Sequence, residues 1–494
     1  MGGMNVPAIA KVGLRQPNAA IIFVLIAAIF GTFFVFKIPL LWGTDETSHI
    51  ARVYQLSQGH LLAQHLGDNR EKGGYGGQIP ESLYDLIINV NRDLIDNPTH
   101  NTALGTKNVD NRSVYINLGK KSLKDKRTVP YAFPNTAAYS PVAYVPGLIG
   151  LKIASLFHAD LYNSIILIRL ANLIFFIGCV YLALRILADF RAKWIIFVIV
   201  LLPTTLFEGS IISADTATNA VTFLFSALII KALLNKGVKK LARYEVGLLL
   251  ACTIIMPLLK PAYVLLLAAV FLLPNKQLGS RRTVYACKLV SIILAACLLL
   301  TWSHLTTGAV RDEALIRPGY GWQLVKPSVQ SQYIVHHPLS YIKTVGRTFI
   351  IQDNDYFMDI LGDLGFNHIF IPGVGVAAEI AITFLAIAMC ERPENGRRRG
   401  ILLVAMSVLI GLAISAVFYV TYTNVADPIV GGIQGRYFIE LLPLSIFGVV
   451  SALGNKMQFD GDAVAYRSAQ QVICLAVLVT LALISIKYYY ITWG

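Results

Sequence analysis

Long apolar runs separated by short, mostly basic connections dominate the chain, and they set the fold class before any single residue is considered. A helix that crosses a bilayer needs about 20 consecutive, mostly apolar residues. Residues 18–40 supply the first such run, closed by Lys37-Ile38-Pro39. Lys11 and Arg15 precede it, which predicts a cytoplasmic N-terminus over 1–17 and export of the polar stretch after the run. The run carries no small-residue cleavage site, so it reads as a retained helix rather than a cleaved leader. Further runs lie at 164–187, 194–212, 216–234, 244–274, 284–305, 369–390, 401–421, 437–453 and 471–488. The connections holding Arg191 and Lys193, Lys236 to Arg243, Lys276 to Arg282, Arg397 to Arg399, and Lys456 and Arg467 are basic. One alternation of sides puts all of them in the cytoplasm.

Two runs are irregular. Residues 244–274 are interrupted by Pro257, Lys260 and Pro261, which predicts two short helices with Lys260-Pro261 toward the outer side. Residues 141–157 carry Pro146, Gly147, Gly150 and Lys152, and read as a re-entrant or steeply packed helix. The expectation is an all-α, polytopic transmembrane bundle of about 11 to 12 spans. Residues 41–140 form a large polar extracytoplasmic loop after the first span, 141–305 a first bundle, 306–368 a second outer loop, and 369–490 the C-terminal helices. In that second loop, residues 329–349 have helical apolar spacing around Pro338, suited to lying along the interface. Tyr320, Trp322, Tyr333, Tyr341 and Tyr356 fit an interfacial aromatic belt.

Composition narrows the class. Hydrophobic residues make up 55% and charged residues 14%, against roughly a quarter charged in a soluble domain. Disorder, a secreted disulfide scaffold and an ordinary cytosolic enzyme are excluded. The net charge of +14 belongs to helix ends facing the cytoplasm, so no nucleic-acid partner is expected; the lipid bilayer is the first partner. The six cysteines lie in or beside apolar runs without a metal-like spacing, which reads as packing. His336-His337-Pro338 lacks ligand spacing, and no Walker loop, Rossmann fingerprint, HExxH or GxSxG motif is present.

Five constellations can carry chemistry. The first comes directly after the first span: Gly43-Thr44-Asp45-Glu46-Thr47-Ser48-His49, then Arg52. Thr44 suits an N-cap, Asp45 and Glu46 the first turn, and Asp45, His49 and Arg52 share a face at i, i+4 and i+7. A carboxylate beside an imidazole can act as general base on a sugar hydroxyl or hold a divalent metal; a capped, ion-paired helix start needs the same residues. The second is Gly431-Gly432-Ile433-Gln434-Gly435-Arg436-Tyr437-Phe438, where glycines admit a close ligand and Arg436 offers a fork suited to phosphate. Its alternative is a flexible turn with a snorkelling arginine. The third, Ser213-Ala214-Asp215-Thr216 with Asn219, either caps a helix or contributes Asp215 as a ligand group. Lys260 in the fourth sits within an apolar stretch and either contacts phosphate or pairs with Asp215. Arg169 with Asn172 is the fifth, internal glue or a site.

The acidic pair Asp45-Glu46 with His49 and Arg52, the Tyr139–Pro146 entry, Ser213-Ala214-Asp215, Lys260-Pro261-Ala262-Tyr263 and Gln434-Gly435-Arg436-Tyr437-Phe438 together resemble a bacterial polytopic membrane family catalogued as domain of unknown function 2142, in the order that family shows them. The resemblance spans residues 20–490. That family is similar in layout to the GT-C membrane glycosyltransferases, which take a sugar from a polyprenyl-phosphate carrier on the outer face. The resemblance implies a multi-pass protein of the bacterial cytoplasmic membrane that transfers sugar from a polyprenyl-phosphate-linked donor to a glycan or glycolipid acceptor of the cell envelope. It implies catalytic roles for Asp45, with Glu46 and His49 supporting it, and a divalent metal (Mg or Mn), if any, on Asp45 and Glu46. Arg436 and Lys260 would contact the lipid phosphate, with Tyr437, Gln434, Arg52 and Asp215 completing the donor site. Two features depart from the family pattern: Thr44, where a proline or small apolar residue is expected, and the length of the loop up to Tyr139. A transporter or flippase for a lipid-linked glycan or anionic solute is the alternative. The enzyme reading requires Asp45, Arg436, Lys260 and Asp215 to face one cavity.

Overall fold

The computed structural model describes residues 18–67, 74–93, 109–124, 127–235, 240–274, 281–315, 325–365, 369–393, 396–454 and 462–493. Lys11, Arg15, Lys236, Lys239, Lys276, Tyr320, Trp322 and Lys456, whose charge or aromaticity supports the topology argued from sequence, lie outside them. The chain is a helical bundle. Among the described residues seven helices are long and apolar enough to cross a membrane: Ala19–Lys37, Leu161–Ile186, Ala214–Leu234, Val284–Leu305, Gly396–Thr421, Gly435–Leu453 and Ala463–Trp493. Three more, Pro141–Leu156, Pro261–Leu272 and Gly373–Met389, are apolar but shorter.

Proline explains most of the difference from the 11 to 12 spans read off hydropathy. The 194–212 run is delivered as Lys193–Val200 and Pro203–Glu208. The 244–274 run is split into Arg243–Leu259 and a 3-10 segment Pro261–Leu272, with Lys260 extended between them. A proline disfavours helical backbone in the residue before it, and hydropathy averages do not register that. The 141–157 segment is too short to count as a span. Val145–Leu156 folds back on Leu161–Ile186, and a Cβ at Gly150 would stand 2.6 Å from the Leu167 carbonyl oxygen, so only glycine permits this approach.

The bundle is layered around one helix. Within its most apolar window Ala214–Leu234 is 94% buried, against 22% for Val284–Leu305 and Gly396–Thr421, so the first is the axis and the others turn most of their surface outward. At one end, several basic connections meet. The guanidinium of Arg191 lies 3.4 Å from the centre of the Tyr466 ring, and Glu391 accepts from the amides of Arg191 and Ala192 at 2.5 and 3.0 Å.

At the other end, residues 41–140 are more than a polar loop. They hold the helices Glu46–Ser57, Glu81–Asn91 and Val109–Gly119 and a three-stranded antiparallel sheet of Gln64–His65, Tyr75–Pro80 and Thr128–Ala132. Arg52 ties this layer together: it is fully buried and donates to the carbonyls of Leu61 and Tyr139 at 2.8 and 3.1 Å, and to Gln55. The 329–349 periodicity corresponds to two helices, Pro327–His336 and Pro338–Ile351, divided at His337.

Candidate functional site

The acidic motif folds differently from a simple capped start. Asp45, not Thr44, occupies the N-cap position of Glu46–Ser57, with φ of 54° and no capping bond from its side chain. The Thr44 hydroxyl instead donates to Glu208 at 3.1 Å. Glu46 supplies the closing interaction by accepting from the Gly43 amide at 2.9 Å.

Glu46 is otherwise consumed by the bundle. Arg169 grips it with Nε and Nη2 at 2.7 and 2.6 Å, the Ile212 amide adds a bond at 2.9 Å, and neither side chain has any solvent exposure. The same guanidinium donates to the carbonyls of Val35, Ile38 and Pro39 at the end of the first span. Arg169 and Glu46 therefore form a buried, hydrogen-bonded joint between two spans and the acidic motif. Of the two sequence readings of Arg169, internal glue is the one its contacts match.

Asp45 points the other way, into a continuous chain of ion pairs. Its Oδ2 accepts from Arg436 Nη2 at 3.0 Å, and its Oδ1 from Asn135 at 3.3 Å. Arg436 Nη1 lies 3.2 Å from Glu208 and 3.5 Å from Asp215, and Nε donates to Gln434 at 2.6 Å. Asp215 passes the chain to Lys260 at 2.6 Å, and Lys260 reaches Glu440 at 3.6 Å. The pairing of Lys260 with Asp215, one of the two sequence alternatives for Lys260, is therefore present.

The ring of Tyr437 lies 4.7 Å from the Lys260 ammonium and 5.2 Å from the Arg436 guanidinium, a cation–π contact to both. Phe418 stacks on it at 5.4 Å, and the Tyr263 hydroxyl donates to the Tyr437 carbonyl at 2.6 Å. Behind the Gln-Gly-Arg-Tyr-Phe stretch, Asp359 accepts from the Gly435 amide at 2.7 Å, and a Cβ at Gly435 would stand 2.1 Å from the Tyr356 carbonyl oxygen. Only glycine fits there.

Six sequence-selected residues thus converge: Asp45, Asp215, Lys260, Gln434, Arg436 and Tyr437. His49 stands one turn behind Asp45 and bonds through Nδ1 to the Tyr144 hydroxyl at 2.8 Å. Burial drives its pKa down to about 4, so the imidazole is neutral at neutral pH. Arg52 makes none of these ion pairs: its two terminal nitrogens donate to Gln55 and to the carbonyls of Leu61 and Tyr139, and its buried Nε has no partner.

Sequence reasoning passed over Glu208, Glu440 and Asp359. Glu208 is the only acid in the apolar 194–212 run, and Glu440 lies one turn beyond Arg436; a lone carboxylate in such a setting is itself the signal.

The chain of ion pairs joins four carboxylates, Asp45, Glu208, Asp215 and Glu440, to two cations, Arg436 and Lys260. Asp45 is its most accessible acid, with 32% of its side chain exposed against 10% or less for the other three. A divalent metal on Asp45 and Glu46 does not fit this donor set. Every oxygen of Glu46 is already taken by Arg169 and two amides, and Asp45 faces a guanidinium. Among the described residues no group of three or more His, Cys, Asp or Glu side chains is arranged to hold a metal.

A bundle of apolar helices enclosing a buried charged cluster defines a polytopic membrane protein. The chain belongs to the family described as predicted membrane protein (DUF2142), which it matches over residues 28–445. No curated protein and no solved structure matches it.

Proposed function

We propose that the protein is a membrane glycosyltransferase that moves a sugar from a polyprenyl-phosphate carrier to a glycan or glycolipid acceptor on the outer face of the bacterial cytoplasmic membrane. The observation that carries this reading is the Asp45–Arg436–Asp215–Lys260 chain: a part-exposed carboxylate held against one cation and linked through Asp215 to a second, at the end of an apolar bundle. Such a site offers a base for a hydroxyl and positive charge for a leaving phosphate, and needs no nucleotide-binding motif.

In the resting arrangement Asp45 occupies one arm of Arg436. The donor phosphate takes that arm and frees Asp45 toward the acceptor. The acceptor hydroxyl gives its proton to the Asp45 carboxylate, and its oxygen bonds to the anomeric carbon. The anomeric carbon–oxygen bond to phosphate breaks, its electron pair leaving on the phosphate oxygen, where Arg436 and Lys260 stabilise the charge. Gln434 holds Arg436 through Nε, and Tyr437 supports both cations from one side. Asp215 keeps Lys260 and Arg436 in register, while Glu46 and His49 fix the helix that presents Asp45.

The test uses purified protein in lipid with labelled polyprenyl-phosphate sugars and extracted wall or glycolipid acceptors. Asp45→Asn is expected to lower label transfer by roughly 100-fold or more while leaving the fold intact. Transfer that survives in Asp45→Asn at the native rate refutes Asp45 as the base.

A further inference from the structure

Below Asp215 the central helix carries a polar face that the ion-pair chain does not use. At 100° per residue, Asp215, Asn219, Thr222 and Ser226 fall within about 60° of one another and span about 16 Å of helix. Asn219 is 2% exposed, and Thr222 and Ser226 are 0% exposed. Asn219 Oδ1, Thr222 Oγ1 and Ser226 Oγ are all buried without a hydrogen-bond partner.

Some buried helical hydroxyls fold back onto the carbonyl four residues earlier, as Thr218 does at 2.9 Å and Thr253, Thr348 and Ser451 at 2.7 Å, whereas Thr205, Thr480, Ser485 and Thr492 are, like Thr222 and Ser226, buried without a partner; what sets the Asp215 face apart is that three such oxygens share it. Thr222 and Ser226 make no such bond and present their oxygens to the bundle interior. An unpartnered buried hydroxyl or amide oxygen is destabilising, and lipid offers it nothing. Three on one face call for a polar occupant. Glu208 Oε2, beside the same ion pairs, is likewise buried and unpartnered.

We infer that this face holds a blind file of ordered waters, running from the Lys260–Asp215 pair into the core of the bundle. Water fits because the lining oxygens are one amide and two hydroxyls, neutral groups that a small donor–acceptor molecule satisfies in both directions. The file is blind because the next residues on the face, Ile229, Ile230 and Leu233, are apolar and no more than 4% exposed. Its role is to solvate Asp215 and Lys260 from beneath, holding the pair ionised while a substrate covers it from above.

The full chain in nanodiscs, imaged at a resolution that resolves water, is expected to show density within hydrogen-bond distance of Asn219, Thr222 and Ser226. Both hydroxyls turned back onto the carbonyls of Thr218 and Thr222, with no density between helices, overturns the inference. Thr222→Val and Ser226→Ala give a second readout. A hydrated file predicts a lower apparent Tm for each, because waters lose a partner; a higher Tm, from deleting an orphaned hydroxyl in a dry core, overturns it. A Tm that rises with sodium in the native chain but not in Asn219→Leu overturns water in favour of a cation.

Discussion

Replacing Glu46 by glutamine separates a catalytic carboxylate from a structural one. In the native chain both Glu46 oxygens accept only: two bonds from Arg169 at 2.6 and 2.7 Å, one from Gly43 and one from Ile212, with no water access. An amide in its place removes the negative charge and turns one acceptor into a donor facing donors. Breaking a buried ion pair by removing one partner costs about 3–5 kcal/mol, since Arg169 is left charged in an apolar interior. Glu46→Gln is therefore expected to lose about that much stability by equilibrium unfolding in detergent. In a double-mutant cycle, Arg169→Met should show a coupling of about 1–3 kcal/mol with it. A Glu46→Gln protein as stable as the native chain, within about 0.5 kcal/mol, refutes the reasoning and reopens a chemical role for Glu46.

Two further outcomes rest on the same geometry. The buried His49 titrates near 4 rather than at the usual 6.5; a depressed folded-state value means the unfolded chain binds the extra proton first, so stability is intact above about 6.5 and is lost as pH falls toward 4. The loss amounts to about 3 kcal/mol, and His49→Gln should flatten this acid limb in a pH series of unfolding midpoints; an unchanged limb contradicts it. Gly435→Ala places a Cβ 2.1 Å from the Tyr356 carbonyl oxygen, so the segment carrying Arg436 must move and labelled-sugar transfer should fall even where the variant is retained on size exclusion; native activity contradicts the packing.

The sequence made some of this legible for physical reasons. Apolar runs announce a bundle, and the charges a membrane interior tolerates are few enough to single out Asp45, Asp215, Lys260 and Arg436. Pairing was harder to read. Asp45 meets Arg436 across 391 positions, and Arg169 meets Glu46 across 123, distances at which one sequence holds no contact information. The strand Tyr75–Pro80 carries two glycines and a proline and lacks the alternation that signals a sheet. Unbroken long helices among the described residues are fewer than the apolar runs because hydropathy counts apolar length, whereas Pro203 and Pro261 decide where the helices stop.

The separation of the paired charges also sets a schedule for biosynthesis. At about 5–20 residues per second, Arg169 emerges roughly 6–25 s after Glu46 and can join the first span to the acidic motif early. Asp45 waits roughly 20–80 s for Arg436. Until then Glu208 and Asp215 are already in the chain with Lys260 as their only cation from the finished cluster. A nascent chain halted before its penultimate span therefore carries an acidic excess at the site.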